Sequence, residues 1–429
     1  MDLARLRCSA ALLLLACVVL ACGAGRRSDT AIEFWALGGE GEVVQRLAAE
    51  FEQREPGVHV RVQQIPWSAA HEKLLTAFVG DAMPDVFQLG STWIPEFVAL
   101  GALEPLDARI GAWPAPARDD FFPGIRDANA IDGRSWGVPW YVDTRLLFYR
   151  RDLLEAAGVR EPPRSWDDWL EAMQRVKARA GEDRYAILLP MNEWEVLVAL
   201  AMENGAALLR DGDRYGDFRA PAFRTAFEFY LGLFRRGLAP QAGAAQIANL
   251  YQDFAAGFFT FYVSGPWNLR EFARRLPDRL QPAWATAPMP SLAGERPGVS
   301  LAGGASLALL RGTPRADVAW RLVEFLTEPR QQLAFYQLSG DLPSRPSAWA
   351  DPALASDPRA RAFRAQLEHV RATPKIPEWE RIADELSRWS EAAIRGELAP
   401  DAALAQLDAE VDALLAKRRS LLERAGPAR

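Results

Sequence analysis

Residues 31–67 read AIEFWALGGEGEVVQRLAAEFEQREPGVHVRVQQIPW. Ala31 to Trp35 is a short apolar strand signal, and Gly38-Gly39-Glu40-Gly41 is a turn. From Val43 to Gln53 the apolar residues Val43, Val44, Leu47, Ala48 and Phe51 recur at helical spacing. Pro56-Gly57 punctuates the chain, Val58 to Val62 alternates as a strand, and Pro66-Trp67 ends it. Ser68 to Val79 then reads as a helix and Asp85 to Leu89 as a third strand. This β-α-β-α-β order predicts an α/β domain with a largely parallel sheet. Ligands of such sheets bind beyond the carboxyl ends of the strands, which here carry Trp35 to Glu40, Trp67, and Gln88 to Trp93.

Composition widens the frame. The chain has 429 residues, 49% hydrophobic and 25% charged, which is globular and too long for one ordinary domain. The formal net charge is −6, and no Lys/Arg stripe or basic tail appears, so a nucleic-acid partner has no electrostatic support. The 15 Trp stand out, because Trp is a bulky core filler but a good platform for ligands with apolar faces.

The N-terminus sets the compartment. Arg5 and Arg7 precede an apolar run from Ala10 to Val19, and Val19-Leu20-Ala21-Cys22 follows. This is the three-part pattern of a signal peptide over residues 1–21, with an apolar run too short to anchor in a bilayer. The tetrapeptide resembles the bacterial lipobox, which implies lipidation of Cys22 and a tether over residues 22–30. Ordinary cleavage with an incidental Cys22 is the alternative. Cys8, Cys17 and Cys22 are all the cysteines present, so the body carries no disulfide, thiol nucleophile or cysteine metal site. No second apolar span follows. The expected location is extracytoplasmic, lipid-anchored to a membrane.

A resemblance then covers nearly the whole mature chain. The opening stretch, KLLTAFVGDAMPDVFQLGSTWIPEFVALGALEPLD (73–107), WGVPWYVDTRLLFYRRDLLEAAGV (136–159) and SWDDWLEAMQRVK (165–177) resemble the extracellular solute-binding proteins of family 1. FAAGFFTFYVSGPWNL (254–269), GVSLAGGASLALLRGTPRADVAWRLVEFL (298–326) and DLPSRPSAWADP (341–352) continue the match in the family's order. The resemblance implies a two-lobe α/β periplasmic-binding-protein fold, with discontinuous lobes joined by a hinge and a ligand cleft between them. It places residues 31–141 plus 300–344 in the N-terminal lobe and 142–299 plus 345–429 in the C-terminal lobe. The crossings are expected near Trp140 to Asp143, Gly298 to Leu301, and Pro343 to Pro346. The implied function is the binding component of an ABC-type sugar importer, working as a monomer with permease subunits and their ATPase, without cofactor or metal.

A sugar presents hydroxyl edges and apolar C–H faces, so its site needs flat rings beside carboxylates, amides or Arg. The resemblance puts Trp267, in Gly265-Pro266-Trp267, in the cleft as a stacking ring; a core Trp beneath a loop is the alternative. It likewise makes Asp143 a sugar-binding carboxylate, or else a hinge or capping Asp. Trp35, Glu40, Trp67, Gln88 and Ser91 sit at predicted strand ends of the first lobe. Glu40 in a first helical turn and Trp67 beneath its own turn have structural readings too. Asn192, Glu193 and Trp194 match a ligand-contacting loop of the second lobe, and Gly303-Gly304 permits close backbone approach. Arg345 offers a planar fork to hydroxyls or braces the hinge, and Trp379 closes the cleft from the C-terminal helices. Trp113, Trp136, Trp166, Trp169, Trp320 and Trp389 are assigned to packing.

Rival classes remain open at this point. A secreted glycoside hydrolase would use two carboxylates, for which Asp143 and Glu193 are candidates. No nucleophile elbow, zinc motif or phosphate loop appears, and the three histidines His59, His71 and His369 are unclustered. A binder of a polyamine or a sugar phosphate, or one serving a receptor, is the other alternative.

Overall fold

The computed structural model describes residues 30–425; Cys22 and the signal segment lie outside them. The chain runs β1 (Thr30–Leu37), α1 (Glu40–Arg54), β2 (Val58–Ile65), α2 (Trp67–Val79) and β3 (Val86–Gly90). After several short helices come β4 (Val138–Asp143), β5 (Leu146–Arg150), α3 (Trp166–Ala180), β6 (Ile187–Leu188), α4 (Glu195–Glu203) and α5 (Pro221–Arg235). There follow β7 (Phe261–Ser264), α6 (Trp267–Arg275), β8 (Trp284–Ala287), β9 (Gly303–Leu309), α7 (Ala316–Leu326), α8 (Pro329–Ser339) and β10 (Leu342–Pro343). The C-terminal part is helical, with α9 (Trp379–Ile394) and α10 (Pro400–Leu414) its main members.

Two sheets organise two lobes. The first is six-stranded in the order β10-β4-β9-β3-β1-β2. Its β1 pairs in parallel with β2 and β3, but β9 runs antiparallel to both β3 and β4. The sheet is therefore mixed and not largely parallel. The βαβα opening sets the parallel half, while β9 enters from the other lobe and runs back between β3 and β4. The second sheet has the order β8-β5-β7-β6, with β5 antiparallel to β7 and β8.

The sequence pattern explains the burial. All five residues of β3 are buried, as expected of a strand covered on both faces, whereas β2 is an edge strand with exposed polar positions. Helix α1 turns Val43, Val44, Leu47 and Phe51 onto the first sheet, where Phe34, Trp140, Leu307 and Phe325 complete a core. Helix α3 starts at a capping box in which the Asp168 N–H donates to Ser165 Oγ and the Ser165 N–H to the Asp168 carboxylate. Its Trp166 and Trp169 are buried in the second-lobe core with Phe227, Phe261, Trp379 and Leu407. A third core, including Phe122, Val142, Phe148, Trp284 and Trp349, lies where the chain passes between the sheets.

The first passage is short. Strand β4 continues to Asp143, which pairs with Gly303, and β5 begins at Leu146. Thr144 and Arg145 are thus the residues between the two sheets, and Trp140 to Asp143 is ordinary strand. Later, Ser300 and Leu301 pair in parallel with Val370 and Arg371 just before β9 re-enters the first sheet.

Candidate functional site

Two adjoining chambers, of about 670 Å³ and 240 Å³, lie between the lobes, and Trp67 and Asp143 line both. Together they have the size of a small-molecule site.

The larger chamber receives Glu40, Trp67, Tyr141 and Asp341 from the first lobe, and Trp267 and Arg270 from the second. Glu40 sits at the start of α1, where the helix dipole favours negative charge. Its Oε1 accepts from the Trp67 indole N–H at 3.1 Å and from the Tyr141 hydroxyl at 2.7 Å. Gln88, fully buried on β3, donates from Nε2 to the Tyr141 oxygen at 2.9 Å and accepts the Leu37 N–H at 2.8 Å. Gln88 therefore positions Tyr141 and Glu40 from behind. Burial raises the Glu40 pKa against these hydrogen bonds. Burial, followed by the nearby Glu40 charge, holds that of Asp341 well above the carboxylate range.

Trp267 owes its position to Gly265. A Cβ at Gly265 would stand 1.8 Å from the Trp267 ring, so only glycine lets the indole fold back over the turn. The Arg145 guanidinium lies against this ring, 4.7 Å from its centroid. Arg145 also donates to Asp143 and to Glu195, each at 2.8 Å. Burial raises the Asp143 pKa, and Arg145 opposes that shift. Glu193 is pushed up to about 7 by burial and by Glu195, with Arg145 opposing.

The smaller chamber is lined by Ser91, Thr92 and Trp93 from the first lobe and by Trp194, Glu195 and Glu380 from the second. Gly303 and Gly304 form its floor. A Cβ at Gly303 would meet the backbone carbonyl oxygen of Asp143 at 2.4 Å, and one at Gly304 the backbone carbonyl oxygen of Tyr141 at 2.3 Å. These glycines thus permit the close approach of β4.

Of the residues expected from sequence, Glu40, Trp67, Ser91, Asp143, Trp194, Trp267, Gly303 and Gly304 line the chambers. The other expected residues line neither chamber. Gln88 is behind the wall. Trp35 packs under Lys73, whose Nζ lies 5.0 Å from the ring centroid. Asn192 is exposed and accepts the Ala244 N–H. Glu193 is half-buried and lines neither chamber, but it interacts with Glu195 and Arg145 through charge. Trp379 is buried in the second-lobe core, edge-on to Trp194. Arg345 is buried away from both chambers, donating to the Thr327 and Ala117 carbonyls with its guanidinium 4.1 Å from the Phe121 ring centroid. Sequence reasoning reaches Thr92 only as part of the 88–93 strand end and does not single out Tyr141, Arg145, Asp341 or Glu380 as site residues. Among the described residues there is no helix long and apolar enough to cross a membrane and no metal-ligating cluster.

The arrangement of rings flanked by carboxylates and one fixed Arg suits a small polar ligand with apolar faces. Comparison with known proteins agrees with the fold. The bacterial extracellular solute-binding protein family matches residues 35–333. The sugar-binding protein MalE from Xanthomonas citri superposes with a TM-score of 0.87 at 47% identity, over 92% of this chain and 99% of that one. The diacetylchitobiose binding protein DasA of Streptomyces coelicolor is 24% identical, over 87% of this chain and 86% of its own. The galactooligosaccharide-binding protein of Bacillus subtilis is 22% identical, over 85% and 84%.

Proposed function

The chain belongs to the bacterial extracellular solute-binding protein family, and we propose that it is the saccharide-capturing receptor of an ABC importer, held at the membrane by a lipid on Cys22. The observation that carries this reading is the cleft itself. Trp67 and Trp267, from opposite lobes, line one chamber beside Glu40, Asp143 and Asp341. Flat rings take the C–H faces of a sugar, and carboxylates take its hydroxyls. The named ligands of MalE, DasA and the galactooligosaccharide-binding protein are of the same class.

In this reading the receptor acts as a monomer. It binds a mono- or oligosaccharide between its lobes, closes through the passages at Thr144–Arg145, 298–302 and 343–346, and hands the ligand to permease subunits served by an ATPase. It catalyses nothing: the Asp143 carboxylate is bound to Arg145, so it is poorly placed to serve as one of two free hydrolytic carboxylates.

A thermal-shift screen against mono-, di- and trisaccharides tests the reading, because a ligand that binds only the native state raises Tm by mass action. At least one saccharide is expected to raise Tm without being cleaved. A response confined to polyamines or to phosphorylated compounds would replace saccharide with that class.

A further inference from the structure

The small chamber has a thin rear wall, to which Ala302 and Thr373 contribute. Thr373 also lines a groove of about 440 Å³ behind it, with Gly124, Asp127, Met202, Val370 and Lys375. A Cβ at Gly124 would stand 3.8 Å from the Ala302 Cβ, so a single residue separates cleft from groove there.

This groove joins the two lobes behind the passages. The short helix Pro123–Ala128 carries Gly124 and Asp127 and packs on β4 and β9 of the first sheet. The segment from Val370 to Lys375 is tied to the second lobe, because Arg371 donates to the Met202 carbonyl of α4 and Ile376 is buried in the second-lobe core. Across this line the Lys375 ammonium donates to the Asp127 carboxylate at 2.9 Å and to the Asp127 carbonyl at 3.2 Å. Beside the ion pair the two segments are already in close contact: a Cβ at Gly124 would meet Val370 Cγ2 at 2.8 Å.

Rotation that narrows a cleft on one side of a hinge widens a groove on the other. Closure therefore draws Asp127 and Lys375 apart, and their attraction opposes it. The apparent affinity of a two-state receptor falls with the fraction of it that is competent to close. A contact on the rear face thus acts on affinity without touching the ligand.

We propose that this rear face is a built-in brake on closure, with the Asp127–Lys375 pair as its tie and the Gly124–Val370 contact as its stop. The brake rests on the hinged-receptor reading above for the motion it opposes, and it is independent of the ligand's class. It sets how much of the ligand-free protein lies open, and so how tightly any cleft ligand is held.

Lys375→Met and Asp127→Asn cut the tie, and Gly124→Leu drives a wedge into the stop. The radius of gyration of each ligand-free protein is measured first by small-angle scattering, because it reads the lobe balance with no ligand present. Both tie variants are expected to be more compact than wild type, and Gly124→Leu more compact still. Affinity is then measured for the sugar that raises the wild-type Tm most among maltose, trehalose, sucrose, lactose and chitobiose. An ion pair this exposed is a modest restraint, so each tie variant is expected to bind about 2- to 5-fold tighter. The variant carrying both tie substitutions should be no tighter than either alone, since they remove one interaction. Tighter binding is not what a damaged fold produces, so a merely structural role predicts the opposite sign. Wild-type compaction with unchanged or weaker sugar binding in both tie variants would overturn the brake, whether or not Gly124→Leu folds, and leave the saccharide reading intact. If no sugar of the panel raises the wild-type Tm, the saccharide reading falls and the ligand-free scattering alone decides the brake: compact tie variants keep it, and wild-type values remove it.

Discussion

The Arg145 guanidinium lies 4.7 Å from the centroid of the Trp267 ring. One cation thus backs a stacking ring while it joins Asp143, at the end of β4, to Glu195, at the start of α4. Arg145 lies between the two sheets, so the charge network of the cleft is built on the chain's passage from lobe to lobe. Any rotation there moves the ring's support and the carboxylates together.

Removing the ring tests its part directly. Trp267→Ala is expected to lose about 1–3 kcal/mol of saccharide affinity, since stacking area is lost at a partly exposed turn. Its ligand-free Tm should change little. Gly265→Ala is expected to mimic it, because the new methyl occupies the ring's place. Calorimetric titration of both variants measures this. Unchanged affinity in Trp267→Ala would take the ring out of the site.

Arg145 itself is expected to be structural as well as functional. It faces Asp143, Glu195 and Glu193, and these neighbours raise its pKa despite burial. Arg145→Gln leaves their carboxylates without a counter-charge. Breaking a fully buried pair from one side costs about 3–5 kcal/mol; this network is only partly buried, so chemical denaturation should show a smaller but clear loss of stability. Adding Asp143→Asn should recover part of it, and an additive double variant would mean that the two residues do not act as a pair.

The pH dependence follows from Glu193, whose pKa is pushed from 4.5 to about 7. Between these values the folded protein holds a proton that the unfolded chain has released. The stability from this group is present below pH 4.5 and is lost as pH rises through about 7. Glu193→Gln is therefore expected to stabilise the protein at pH 8 relative to wild type, with less gain at pH 5. Melting curves at the two pH values decide it, and a larger gain at pH 5 would reverse the assignment.

The membrane attachment is tested by Cys22→Ser. Lipidation needs the thiol, and a signal segment without it would release the body. Fractionation should find the variant soluble and the wild type in the membrane fraction. Equal retention of both would remove Cys22 from that role.

Much of this architecture was legible in the sequence, for local reasons. The β1-α1-β2-α2-β3 opening is written in apolar spacing and in glycine and proline punctuation over a short span. Strand ends follow from such a pattern, and Glu40, Trp67 and Ser91 sit there. Trp267 is reached through the family resemblance, and Gly265 is the local reason its ring can fold back over the turn. Tyr141, Asp341 and Glu380 carry no local mark. They line the cleft only because distant segments return to it, as when the Ser91–Trp93 segment packs against α9. Arg345 is open to two readings in the sequence, because a guanidinium donates to backbone carbonyls as readily as to hydroxyls, and its burial against the Thr327 carbonyl favours the bracing one. The antiparallel entry of β9 was likewise invisible, since strand direction depends on the route through the other lobe.

Motion is the last expectation. Trp67 and Glu40 belong to one lobe, Trp267 and Trp194 to the other, and the chambers they line lie between them. A ligand that touches both lobes favours the closed form by its differential affinity alone. Two residues, Thr144 and Arg145, separate β4 from β5, so rotation there carries Asp143 and the Arg145–Trp267 pair with it. Saturating saccharide is therefore expected to lower the radius of gyration in small-angle scattering and to shift Trp fluorescence as Trp67 leaves water. Substituting Trp67 by Phe should remove much of the fluorescence shift and spare the compaction. Binding with neither change would mean a rigid site, and the hinged mechanism would fall while the ligand stayed.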